Sequence, residues 1–152
     1  MEIEKLITAY YRAYNVRYPH EIQLDLFAER LGITVVRMPR PALCGSKRIV
    51  IDCRQPPEKQ REQLAHELGH RILHSGRQPD MDPLFRGLQE EQTRLFAMYA
   101  LVPTFMLAPL VSDTPQYYEH QCAYLASIFC VTYKFMRQRL NLFESTNLVR
   151  CQ

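Results

Sequence analysis

The chain reads as a single α+β domain in which helices outnumber strands, and three observations predict it. Apolar residues recur at helical spacing along most of the 152 residues. Only two short β-branched runs break that pattern, Ile33 to Met38 and Lys47 to Asp52, and turn residues bound both. No linker, internal repeat or low-complexity segment divides the chain, whose 47% apolar and 23% charged residues suit a domain large enough to bury its own core. Residues 1–152 are therefore expected to form one unit.

The elements follow in order. Ile3, Leu6, Ile7, Tyr10, Tyr11 and Tyr14 lie on one face of a helix predicted over residues 2–17. Pro19 restarts the chain, and residues 20–31 form a second helix that Gly32 stops. The two β-branched runs become short strands, expected to pair antiparallel across the turn-rich stretch Pro39 to Gly45. Pro56 and Pro57 open a helix with Glu58 in its positive first turn, and it runs to about His74 before Ser75 and Gly76 release it. Residues 75–83 are polar, carry two prolines and read as a loop. A helix spans about Phe85 to Leu101 and stops at Pro103. The tail, residues 116–143, holds two helical patterns joined near Cys130, Val131 and Thr132, and is expected to pack on the core.

Composition excludes several classes. A net charge of +3 is too mild to argue for nucleic acid. Five cysteines, odd in number and without a C-x-x-C pair, predict reduced thiols rather than a disulfide framework or a cysteine-ligated metal. The acidic start, Met1-Glu2-Ile3-Glu4, lacks a signal segment, and the longest apolar stretch, about Phe96 to Val111, is broken by Pro103 and Pro109. A cytoplasmic protein with no membrane association is expected.

The chemistry centres on His66-Glu67-Leu68-Gly69-His70, an H-E-x-x-H sequence in the middle of a predicted helix. Positions i and i+4 share a helix face, so both imidazoles can reach one zinc ion, with Glu67 placed as general base for the attacking water. Two histidines on a helix can also simply face solvent or a core hydrogen bond. Against that, Leu64, Leu68 and Ile72 supply burial, and Gly69 sits where alanine would be about 1 kcal/mol better in a helix. A glycine there predicts close approach of another backbone or a ligand. His74 and Glu62 lie one turn beyond the pair on either side, about 6 Å along the axis, too far to share its ion.

A third ligand must come from another segment. Glu90 shares its helix face with the small residues Thr93, Ala97 and Ala100, a row that lets two helices lie close. Glu91 shares a face with Leu95, Met98 and Val102, and Asp80 and Asp82 fall in the loop. Glu90 is the candidate that follows.

These residues resemble the ImmA/IrrE family of metallopeptidases, a zincin-like fold. The match rests on His66-Glu67-Leu68-Gly69-His70-Arg71-Ile72-Leu73-His74, then Glu90 through Ala97, then Leu101-Val102-Pro103, with further likeness over Ile22 to Val36 and Ile49 to Asp52. It extends over about residues 20–140. Thr93 stands where the family prefers alanine, Arg94 where asparagine is frequent and Ala100 where leucine is usual. The resemblance implies His66 and His70 as zinc ligands, Glu67 as catalytic acid/base and Glu90 as a gluzincin-type third ligand. It also implies a substrate class, namely a helix-turn-helix repressor of a phage or mobile element, cut so that its genes are released. An oxyanion donor is needed as well, and His120, Tyr99, Tyr117 and Tyr118 are the candidates.

Two other classes compete. The cadence of Leu125 to Leu140, with Lys134, Arg137 and Arg139, is that of a helix-turn-helix whose cations would meet phosphates. Direct nucleic-acid binding is nonetheless not the expectation, because the same helices can pack on the core or dock the repressor. A zinc-stabilised adaptor that captures the repressor without cutting it carries the same motif.

Overall fold

The computed structural model describes residues 2–74, 82–111 and 118–150. Seven helices lie among them: α1 (Glu2–Ala13), α2 (Leu24–Arg30), α3 (Pro57–Leu73), α4 (Pro83–Leu101), α5 (Thr104–Leu107), α6 (Tyr118–Phe129) and α7 (Tyr133–Arg150). Three strands accompany them: β1 (Thr34–Met38), β2 (Leu43–Cys44) and β3 (Arg48–Asp52). The expected α+β class holds, as a mostly helical domain with one small sheet.

The strand pairing differs from the sequence expectation. β1 and β3 run parallel, with Val36 opposite Val50, and the two-residue β2 pairs antiparallel on the other side of β3. The sheet is therefore mixed. Treating neighbouring apolar runs as a hairpin overlooked β2, whose two residues lie between a proline-rich stretch and Gly45. The central place of β3 was nonetheless written in Ile49-Val50-Ile51: three consecutive buried residues suit a strand covered on both faces.

Helix ends explain the shifted boundaries. α1 stops at Ala13 rather than near residue 17 because Asn15 turns left-handed, at φ 55°. Asn15 N–H then donates to Arg12 O and Val16 N–H to Tyr11 O, the paired bonds of a Schellman cap. Gly32 ends α2 in the same way at φ 70°, and Cys130 ends α6 at φ 51°. Thr132 then caps α7, accepting from Phe135 N–H. The predicted loop falls almost wholly at 75–81, and the start of the tail at 116–117, outside the described residues.

α3 and α4 pack along each other beside the sheet, and the core runs from Ile7 and Phe27 through Leu64, Leu68, Phe96 and Leu101 to Leu125 and Phe129. Tyr11 of α1 fastens to α4 by donating its hydroxyl to Ala100 O. The tail is joined to the core by Arg139, which the competing DNA-binding reading would turn toward phosphates but which is only 1% exposed. Its guanidinium donates to Val102 O and Thr104 Oγ1 and lies over the Tyr99 ring. The sequence hid this, because an arginine on a helix reads alike whether it meets water or a neighbouring helix end. Among the described residues no single helix is long and apolar enough to cross a membrane.

Candidate metal centre

The helical repeat of α3 puts His66 and His70 on one face with their Nε2 atoms 3.1 Å apart. Glu90 arrives from α4 and straddles them: Oε2 lies 3.3 Å from His66 Nε2 and Oε1 3.4 Å from His70 Nε2. This is the one cluster among the described residues whose His, Cys or acidic groups lie close enough to hold a metal ion. The small row noted in the sequence makes the approach possible. A Cβ on Gly69 would sit 3.0 Å from Thr93 Cγ2 and 3.1 Å from Phe96 Cδ1. The glycine thus makes room for side chains of α4, not for a backbone or a ligand.

The geometry suits a small divalent ion. Ligand atoms at the usual zinc distances and a tetrahedral angle lie about 3.3 Å apart; here the two Nε2 atoms are 3.1 Å apart and Glu90 reaches each of them with a different oxygen, at 3.3 and 3.4 Å. Two imidazoles and a carboxylate are also a donor set zinc takes. Burial pushes both His66 and His70 below the ordinary histidine value despite the opposing charge of Glu90, which favours the neutral ring whose lone pair a metal takes. Thr93 Oγ1 lies 3.3 Å from His70 Nδ1. A proton on Nδ1 donated to that hydroxyl leaves Nε2 facing Glu90, the orienting contact metal-site histidines commonly make.

Glu67 is half-buried beside this group. Burial, and then the charge of Glu90, pushes its carboxyl up to about 7. A carboxyl poised near neutrality is the form a general acid/base needs.

Other residues singled out from the sequence fall elsewhere. Glu91 points outward in a two-pronged ion pair with Arg94, at 2.6 and 2.8 Å. The His74 ring lies 3.2 Å from Gln89 O at the end of α3. Asp82 caps α4 by accepting from Leu84 N–H. Of the oxyanion candidates, Tyr99 is buried against Arg139, Tyr118 donates to Asn141 Oδ1 and His120 is exposed on α6. None of these three joins the cluster, and Tyr117 and Asp80 lie outside the described residues.

Sequence reasoning missed two contributors. Glu62 was set aside as a ligand, yet it is 6% exposed and binds the tail: Oε1 accepts from Thr132 N–H at 2.8 Å and Oε2 from Lys59 Nζ at 3.0 Å. Its carboxylate meets the positive end of α7. As a result α7 forms one wall of a cleft of about 230 Å³ that begins at His66 and Glu67 and continues past Ala97 and Met98 to Phe135 and Gln138. Nothing local in the sequence marks Phe135 for this position.

Two helices that converge a pair of imidazoles and a carboxylate, beside a second carboxylate raised toward neutrality, define a metallopeptidase-type domain. The comparisons with known proteins agree. The chain belongs to the IrrE N-terminal-like domain family, Peptidase_M78, whose model matches residues 24–141. It is also similar to the phage-like element PBSX protein XkdA of Bacillus subtilis (strain 168), at 34% identity over 146 residues, covering 93% of this chain and 73% of that protein. The resemblance drawn from the two motifs is thereby borne out.

Proposed function

We propose that this chain is a zinc-dependent endopeptidase that cleaves a helix-turn-helix transcriptional repressor of a phage or mobile element. The observation that carries the reading is the convergence of His66, His70 and Glu90, whose facing nitrogen and oxygen atoms lie 3.1 to 3.4 Å apart, next to Glu67. His66, His70 and Glu90 would hold the metal. Zinc bound there supplies a Lewis acid and lowers the pKa of water toward neutrality. Thr93 fixes the orientation of the His70 ring. Glu67 accepts the proton of the attacking water and then delivers it to the leaving nitrogen. The similarity to a protein of a phage-like element supports the substrate class.

The DNA-binding reading is weaker, because Arg139, one of its three cations, is buried against the Tyr99 ring and bonded to backbone and hydroxyl oxygens. The test is Glu67→Gln against wild type, each expressed with helix-turn-helix repressors of phage or mobile-element type as candidate substrates. The variant is expected to bind one zinc per chain and leave the repressor intact. Cleavage at the wild-type rate would refute the mechanism. Derepression in cells that survives Glu67→Gln without cleavage would establish the adaptor.

A further inference from the structure

The cleft beside Glu67 has a chemistry of its own. Ala97 and Met98 underlie it, at 3% and 0% exposure, and Phe135 of α7 faces them. Two cations line it, and both already have partners: Lys59 is paired with Glu62 at 3.0 Å and Arg94 with Glu91 at 2.6 Å, while the carboxylates of Glu62 and Glu67 also face the cleft. Arg94 also directs Nη1 at Met98 Sδ, 3.5 Å away. An acidic side chain entering this space meets two carboxylates and finds both cations already paired, which is unfavourable. An apolar side chain loses nothing and covers the half-buried Phe135 above the buried Met98.

We infer that this cleft receives a large apolar residue of the substrate next to the scissile bond, and that Phe135 of the tail determines which residue fits. The inference rests on the endopeptidase reading. A cleft of about 230 Å³ has room for a leucine, methionine or phenylalanine side chain. Its far wall is held in register with the catalytic helix. Glu62, one turn before His66, binds Thr132 N–H, and Thr132 Oγ1 in turn accepts from Phe135 N–H at 3.2 Å. The tail is thus part of the substrate site, and its position is set from α3 itself.

The pocket can be read without turnover. Full-length protein carrying ¹³C-methyl methionine is titrated with the N-acetyl amides of leucine, methionine, phenylalanine, aspartate and lysine. The three apolar probes are expected to shift the Met98 methyl saturably, with the exposed Met38 unmoved. Phe135→Ala should weaken them by about tenfold, on the scale of a lost apolar contact in a binding pocket. Phe135→Leu, which keeps an apolar wall and guards against misfolding, should fall between. Equal shifts from the charged probes, no shift from any probe, or unchanged binding in both variants would overturn the inference.

Mapping the cut sites in the repressor separates this from the parent reading. Cleavage with no apolar preference flanking the cut defeats the pocket alone. Apolar probes that bind while the zinc-loaded protein cuts nothing defeat the endopeptidase reading, and the scissile-bond assignment falls with it.

Discussion

Replacing Gly69 with alanine adds one methyl group where α3 and α4 are closest. The new Cβ would stand 3.0 Å from Thr93 Cγ2 and 3.1 and 3.3 Å from Phe96 Cδ1 and Cβ. Both neighbours are fully buried, and Thr93 is β-branched with its hydroxyl beside His70, so neither can swing away. Alanine gains about 1 kcal/mol of helix propensity over glycine, whereas overpacking a tight core costs about 1–3 kcal/mol. The net effect runs from neutral to a loss of about 2 kcal/mol. Gly87 supplies the control, being an exposed glycine of α4 with nothing within 4 Å of an added Cβ. Gly87→Ala should stabilise by about 1 kcal/mol. The two variants should then differ in midpoint by roughly 3–9 °C in thermal unfolding of metal-free protein. Pushing Thr93 outward also shifts Glu90 on the same helix face, so zinc affinity in Gly69→Ala should fall about tenfold, with Gly87→Ala unchanged. If Gly69→Ala were as stabilising as Gly87→Ala and bound zinc like wild type, the close approach of α3 and α4 would not be what sets the site.

Other expectations concern the tail and the sheet. Glu62→Ala, which strips the acceptor from Thr132 N–H and the partner from Lys59, should cost about 1–3 kcal/mol in urea unfolding. It should also lower hydrogen-exchange protection at the start of α7, while Glu62→Gln, which keeps an acceptor, should do less. Arg139→Lys should cost about 2–4 kcal/mol, because an ammonium cannot serve Val102 O and Thr104 Oγ1 together while lying on Tyr99; a loss below about 0.5 kcal/mol would make the arginine replaceable. The Arg54 guanidinium, hydrogen-bonded to Asp52, holds that carboxyl down at about 2, below its unfolded value of about 3.9. Its contribution is therefore complete above about pH 4 and lost as pH falls through about 2. The stability gap between wild type and Asp52→Asn, followed by denaturant unfolding, should be constant from pH 5 to 7 and close between pH 4 and 2.

The cluster of His66, His70 and Glu90 was the most legible part of the chain. Two of its members lie four residues apart on one helix, and helical geometry alone makes them neighbours. Glu90 was separable from Glu91 because Thr93, Ala97 and Ala100 marked the face of α4 able to come near another helix. Gly69 marked the same contact from the other side, although the neighbour it admits is a pair of side chains rather than a backbone. The mixed sheet was less legible. β2 is too short to carry a pattern, and only the unbroken run Ile49-Val50-Ile51 hinted that β3 was central.

What the sequence by itself determined is local: the helices, the pairing of His66 with His70, the glycine stop after α2, and the carboxylate able to complete the site. These follow from spacing along the chain and from each residue's own conformational preferences. Only the tertiary structure decided that Glu62 anchors α7, that Arg139 is buried in the core, and that Phe135 stands across a cleft from Met98. Those contacts join residues 35 to 70 positions apart, and no local preference encodes a distance of that kind. They exist because packing the tail on α3 and α4 buries apolar surface, and the polar groups caught in that interface must then find partners in it.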